Sequence, residues 1–335
     1  MKLTSIELRD FRCFGSALFD LTDDGEPLNV ALMVGPNGSG KSSVCQAVSG
    51  LFSGLHPFGG DQIDPRDVRE GSEVAFVEVH WRERGEVPPN LLDFGVRWRQ
   101  PRNGKREVIP RSQKQYTDWT KSLAEPRKGK GVLVGFDVFR LLPPIQVTGP
   151  NIQQVPAYPW QGSLVPTVSR GGGIATRFGT LKQWIVNLDF FRARAKADRN
   201  EDLPAWDILR TALDKFLRPW KFEGVDERFD VRFKGPSGSV SLDALSDGLR
   251  SVFVIVTELL FRLSLATEHP ADALSGEAVC LIDEVDAHLH PEWQESVIPG
   301  LCAMFPNVQF IATTHSPYVV ASVEPRNVFR IEEET

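Results

Sequence analysis

Residues Gly35-Pro-Asn-Gly-Ser-Gly-Lys-Ser42 form a G-x-x-x-x-G-K-[ST] run. A ligand carrying several phosphates is densely negative, so binding it needs many N–H groups converging on one place. Glycines at 35, 38 and 40 let the backbone curl that closely, and a helix starting just after the run would add its positive dipole. Asn37, Ser39 and Ser43 complete the set of residues expected around the phosphates. Lys41 is expected to reach the β- and γ-phosphates, which makes it a candidate catalytic residue as well as a binding one. Ser42 is expected to offer its hydroxyl to Mg²⁺. The chemistry is nucleoside triphosphate binding.

A second constellation lies far downstream. Ala278-Val-Cys-Leu-Ile-Asp-Glu284 is an apolar run that ends in two carboxylates. A buried strand stopping there places both at its C-terminal edge, where α/β folds bind ligands. Asp283 is then expected to hold Mg²⁺, and Glu284 to orient or deprotonate an attacking water. Paired carboxylates alone would be weak evidence; beside a phosphate loop they are strong.

Gln309-Phe-Ile-Ala-Thr-Thr-His-Ser-Pro317 is a further apolar run with a polar end. His315 could hydrogen-bond a γ-phosphate, while Ser316 before Pro317 reads as a helix cap. His288 and His290 make an H-x-H pair, but no third ligand accompanies them, which argues against a metal site. Leu245-Ser-Asp-Gly-Leu-Arg250 opens an apolar helix. Ser246 can be a simple N-cap, or Ser246 and Gly248 can present the helix N-terminus to an anion.

These residues need a scaffold. Leu28–Val34 before the glycine run, Val132–Phe139, Ala278–Ile282 and Val308–Ala312 read as strands, and the first and last two of these as buried parallel ones. Ser42–Leu51, Phe178–Lys196, Ala205–Leu217 and Leu245–Ala266 read as helices, with Trp184, Leu188 and Phe191 sharing a face of the second. Residues 2–21 read as two strands turning at Gly15, and Val74–Trp81 with Phe94–Trp98 as antiparallel strands. Phe229–Phe233 and Val240 read as short strands, and the Pro/Gly-rich Leu141–Arg170 as loop. The expected architecture is α/β, with residues 1–54 and 241–335 forming the mostly parallel nucleotide-binding core. Residues 55–240 are expected to be an insertion holding antiparallel strands, a basic loop and a helical lobe.

Composition excludes other classes. The 335 residues carry a net charge of −6, with 41% hydrophobic and 24% charged side chains, as in an ordinary globular protein. No run reaches the roughly 18 uncharged apolar residues of a membrane span; Val252–Phe261 is short and interrupted by Glu258. The charged N-terminus does not read as a signal peptide. Cys13, Cys45, Cys280 and Cys302 are far apart, which fits a reducing cytoplasmic location rather than a disulfide framework.

Acidity overall hides a basic stretch. Arg97–Lys130 holds eleven basic residues against three acids, with Trp98, Tyr116 and Trp119 interleaved. Such a stretch is either a nucleic-acid backbone surface with aromatic platforms or a solvated hairpin and loop.

The order of the motifs carries a resemblance. Phosphate loop, Leu-Ser-Asp-Gly, Ile-Asp-Glu and Thr-Thr-His-Ser-Pro, in that sequence, resemble the ABC-type ATPase heads of the Rad50/SMC/RecF/OLD group. Ile282–Gln294 with Phe305–Pro317 is similar to the stand-alone "predicted ATP-binding protein involved in virulence" family and to the ATPase subunits of Septu-type and retron-associated antiphage systems. Ile6-Glu-Leu-Arg-Asp-Phe-Arg-Cys-Phe14 resembles the group's opening strand, whose arginine near the nucleotide falls on Arg12.

The insertion is short, proline-rich and free of heptads, unlike a coiled-coil arm. ABC heads also carry a glutamine after a strand; here Val132–Phe139 leads into Arg140, and Gln146 lies further on. No TOPRIM-like or HNH motif is present, so a nuclease would be a separate chain.

The resemblance implies an ATP- and Mg²⁺-dependent ATPase that forms a homodimer or higher oligomer, with Ser246 and Gly248 of one copy facing the nucleotide of the other. It further implies a sensor or regulator of a partner effector in antiphage defence. Two other roles stay open: an ATP-locked scaffold with little turnover, and a RecF-like DNA repair ATPase.

Overall fold

The computed structural model describes residues 1–55, 63–83, 93–123, 132–138, 140, 146–151, 174–199, 203–236 and 238–332. The chain opens with β1 (Lys2–Phe11), β2 (Phe14–Asp20), β3 (Thr22–Asp23), β4 (Glu26–Pro27), β5 (Val30–Val34) and α1 (Lys41–Leu55). There follow β6 (Val74–Arg82), β7 (Asp93–Pro101), β8 (Glu107–Pro110), α2 (Gln113–Leu123), β9 (Leu133–Phe136), α3 (Ile174–Arg199) and α4 (Pro204–Phe216). The remainder is β10 (Lys221–Val225), β11 (Val231–Gly235), β12 (Gly238–Ser241), α5 (Asp247–Ala266), β13 (Ala278–Ile282), α6 (Pro291–Met304), β14 (Val308–Thr314), α7 (Pro317–Ala321) and β15 (Val328–Arg330).

The central sheet is parallel throughout, in the order β15-β5-β14-β13-β9. Its strands are apolar without alternation because both faces are covered. Val30 and Leu32 point into a core shared with α3, α4, α5 and α6; Ala31 and Met33 point the other way, toward α1 and an antiparallel sheet. The same two-residue period divides Cys280 and Ile282 from Val279 and Leu281 on β13. Helix α5 is apolar on every side because it runs through the first core, where Glu258 and Arg262 neutralise each other across one helical turn at 2.9 Å.

The antiparallel sheet has the order β2-β1-β6-β7-β8, and a small third sheet has the order β10-β11-β12. Strands β6–β8 thus continue the sheet begun by β1 and β2, while β9 closes one edge of the central sheet.

Several expectations shift in detail. Phe11 pairs with Phe14, so the first hairpin turns at Arg12-Cys13 and not at Gly15. Phe191 is exposed, because α3 runs beyond the body that covers Trp184. Trp98 is 1% exposed: on β7 it shares the inward face with Val96 and Gln100, and it serves packing rather than an aromatic platform. Most of the expected loop over 141–170 lies outside the described residues. Among the described residues, no helix is long and apolar enough to cross a membrane.

Candidate functional site

Strand β5 ends at Val34 and α1 begins at Lys41, so the glycine run is the connection between a central strand and a helix N-terminus. Gly38 and Gly40 take φ values of +85° and +97°, a region costly for residues with a β-carbon. Gly40 is doubly constrained, since a β-carbon there would overlap Cys13 Sγ and lie 2.7 Å from the Phe14 ring. Lys41 is buried, and its Nζ donates to the carbonyls of Gly35 at 3.0 Å and Pro36 at 2.7 Å. Burial lowers its pKa from the ordinary lysine value, against the opposing pull of Glu284, Asp283 and Asp286. Ser39 Oγ is buried with no hydrogen-bond partner among the described residues. A polar atom left that way inside a phosphate-type loop is what an anionic ligand would satisfy.

The acidic pair arrives from β13, two strands from β5 in the sheet. Ser42 Oγ donates to Asp283 Oδ1 at 2.9 Å, and Thr313 Oγ1 donates to the same oxygen at 2.6 Å. Thr313 also accepts the Glu284 N–H at 2.7 Å, so one β14 hydroxyl orders both acidic residues. Glu284 has φ +47°, a left-handed conformation outside the strand's run. Glu284 lines one cavity of about 310 Å³ together with Lys41, Ser42, Ser43, Asn37, Gly38, Gly40, Arg12, Cys13 and His315. Arg12, in the hairpin turn, donates to Asp67 Oδ1 at 2.8 Å and reaches Ser43 Oγ at 3.5 Å. Oxygen donors alone, a serine hydroxyl and a carboxylate in mutual contact, suit a hard cation such as Mg²⁺.

Two residues are expected to serve a second copy's nucleotide rather than that of their own chain. Ser246 and Gly248 do not line this cavity. Ser246 caps α5, accepting the Leu249 N–H at 3.5 Å. Gly248 lies against the His288 backbone, where a β-carbon would overlap the carbonyl oxygen. Ser316 is likewise a cap, accepting from Tyr318 and Val319, and its hydroxyl donates to Gln294 Oε1 at 2.6 Å. His315 takes no part in that cap and stands exposed at the cavity rim. Among the described residues no His/Cys/Asp/Glu cluster of metal-binding type forms around His288 and His290.

Thr313 and Arg140 join the site without having been evident from sequence. Thr313 sits in the Thr-Thr-His-Ser-Pro run, where its place at the end of a strand next to the acidic one was the available signal. Arg140 is marked only by its position after Val132–Phe139, where a glutamine is expected, and nothing local signals its contacts.

The basic stretch is partly spent internally. Arg97 pairs with Glu78 at 2.6 Å, Arg99 with Glu107 at 3.2 Å, Arg106 covers the Trp98 ring, and Arg102 donates to the carbonyls of Ser72, Val68 and Arg69. Lys105, Arg111 and Lys114 are exposed, and Arg127, Lys128 and Lys130 lie outside the described residues.

A phosphate loop and an acidic strand end meeting at one edge of a parallel sheet, flanked by an antiparallel sheet, give the fold of an ABC-type P-loop head. Residues 30–321 match, and the chain belongs to, the family described as "AAA domain, putative AbiEii toxin, Type IV TA system". The chain is 38% identical over 94 residues to the "Retron Ec83 probable ATPase" of Escherichia coli, a stretch covering 28% of this chain and 17% of that one. It is 36% identical over 93 residues to "Septu protein PtuA" of Bacillus mycoides, covering 28% and 13%. The matched stretch thus spans less than a fifth of these relatives.

Solved structures with the same fold include the "SMC head domain from Thermotoga maritima", with TM-score 0.51 and 19% identity over 97% of this chain and 93% of that one. Another is the "SmcHead bound to the C-winged helix domain of ScpA", with TM-score 0.54 and 14% identity over 96% and 92%. At these identities the likeness is one of fold.

Proposed function

We propose that the chain is an ATP-hydrolysing head that associates with a second copy over bound nucleotide and regulates a separate effector, such as a nuclease, in antiphage defence. The observation carrying the enzymatic part is the contact between Ser42 and Asp283 beside a cavity that also holds Lys41 and Glu284. The loop N–H groups and Lys41 would bind the phosphates, with Gly35, Asn37, Gly38, Ser39, Gly40 and Ser43 shaping that cradle and Arg12 contacting the nucleotide from the hairpin turn. Ser42 and Asp283 would hold Mg²⁺, which supplies charge neutralisation at the β- and γ-phosphates. Glu284 would take a proton from the attacking water, and His315 would hydrogen-bond the γ-phosphate from the rim.

The defence role is supported by the retron- and Septu-named relatives, and association by the SMC-type fold. Turnover of ATP by the wild type and by Glu284→Gln tests the reading. Loss of a general base lowers the rate about 10²–10⁴-fold. Equal rates would favour a nucleotide-locked scaffold.

A further inference from the structure

Among the described residues, Arg140 is the guanidinium that touches both halves of the acidic turn. It is 1% exposed. Its Nη1 donates to the Asp283 carbonyl at 2.7 Å and to the Asp137 carbonyl at 2.9 Å, and Nη2 donates to the Glu284 carbonyl at 2.7 Å. Nε donates to Ser251 Oγ at 2.6 Å. A buried arginine ordinarily faces a carboxylate, yet these four acceptors are three main-chain carbonyls and a hydroxyl. Burial lowers its pKa to about 10, against the opposing pull of Asp137, Asp283, Asp286 and Glu284, so the group is cationic at neutral pH.

The bonds fall where the backbone needs them. Glu284 leaves the strand in a left-handed conformation that is unfavourable for a residue with a β-carbon. Such a conformation persists only when its surroundings over-determine it. Thr313 holds the N–H side of Glu284, and Arg140 holds its carbonyl side. The Ser251 bond lies one turn into α5, the helix that Ser246 and Gly248 open. The guanidinium therefore ties the end of β9, the acidic turn and α5 together at one point.

We propose that Arg140 is a positioning residue: it fixes the Glu284 backbone so that the carboxylate points into the nucleotide cavity, and it makes that aim depend on the placement of α5. The proposal rests on the reading of Glu284 as the water-activating base. A fork of fixed geometry is required, because one donor cannot span the Asp283 and Glu284 carbonyls together with Ser251.

The test compares Arg140→Lys, which keeps the charge but loses the fork, with Arg140→Gln, which buries no charge and covers the case in which the lysine variant does not fold. Steady-state ATP turnover and equilibrium binding of a fluorescent ATP analogue are measured on each, alongside Glu284→Gln and the double variants. A misaimed reacting group costs on the order of 10²-fold, so kcat is expected to fall by about that factor while KM and analogue affinity stay within about threefold.

Because Arg140 acts through Glu284, adding either Arg140 change to Glu284→Gln is expected to slow turnover no further. Turnover at the wild-type rate in a folded Arg140 variant would overturn the proposal. So would a parallel loss of analogue affinity and kcat, or additive losses in the double variants, since these mark a structural cross-link. If Glu284→Gln itself turns over at the wild-type rate, the base assignment fails first, and the proposal falls with it.

Discussion

Gly248 and His288 are packed backbone to backbone, with the first turn of α5 resting on the carbonyl of the turn that follows Glu284. The start of that helix therefore cannot move without moving the residues just beyond the acidic pair. Gly248→Ala inserts a β-carbon into the carbonyl oxygen of His288, an overpacking that costs about 1–3 kcal/mol. Its unfolding midpoint in urea is expected to fall accordingly, and ATP-dependent association to weaken. Sedimentation velocity with and without nucleotide checks the second outcome.

Association itself is expected to follow nucleotide. Ser246 caps α5 away from the cavity of its own chain, so its N-terminus is available to a γ-phosphate bound by another copy. Glu284→Gln with ATP and Mg²⁺ is expected to shift to a larger species, and Ser246→Arg to reverse the shift by bulk and by crowding the partner's cation cluster. Light scattering after size exclusion reads both. A mass indifferent to nucleotide and to Ser246→Arg would leave Ser246 as a cap alone.

Among the described residues, Lys41 is the ammonium lining the cavity, and its Nζ is held within 3.0 Å of two loop carbonyls. Lys41→Ala removes a charge-assisted interaction of roughly 2–3 kcal/mol. The affinity for a fluorescent ATP analogue is expected to fall by about 30- to 150-fold. Near-normal affinity would remove the phosphate-loop assignment.

The basic stretch makes a salt-dependent prediction. With Arg97, Arg99 and Arg102 committed to internal partners, the exposed basic residues among those described are Lys105, Arg111 and Lys114, and the sequence adds Arg127, Lys128 and Lys130 further along. Changing the last three to alanine is expected to weaken nucleic-acid association. The salt slope should drop by about one for each phosphate that is no longer neutralised. Identical salt titrations before and after would assign the stretch to solvent.

What could be read from sequence was whatever a short window encodes. The phosphate loop announces itself through glycine spacing, and β13 through an apolar run that stops at two carboxylates; the fold brings both to one edge of the sheet. What a window cannot hold is a partner far along the chain. Arg140 stands out only as the residue found after a strand where a glutamine is expected, and its acceptors at Asp283 and Glu284 emerge only when β9 pairs with β13. The same blindness hid the pairing of β6 with β1, because alternation reveals a half-buried strand but not its neighbour. Trp98 misled for a related reason: among arginines it read as surface, whereas the period of β7 turns it inward.

The order of strands in the central sheet has a consequence for biosynthesis. Strand β5, which delivers the phosphate loop, is flanked on its two edges by β14 and β15, both made far later. A ribosome must therefore extend the chain from residue 34 to beyond residue 308 before either edge of β5 finds its neighbour. Throughout that interval an apolar strand with two bare edges is exposed to other chains, a condition in which nascent polypeptides aggregate or recruit chaperones. The antiparallel sheet, whose strands all precede residue 111, can assemble first and shelter one face of the wait. The phosphate loop thus gains its supporting sheet only after strands made far downstream, from Val308 and Val328 onward, have docked.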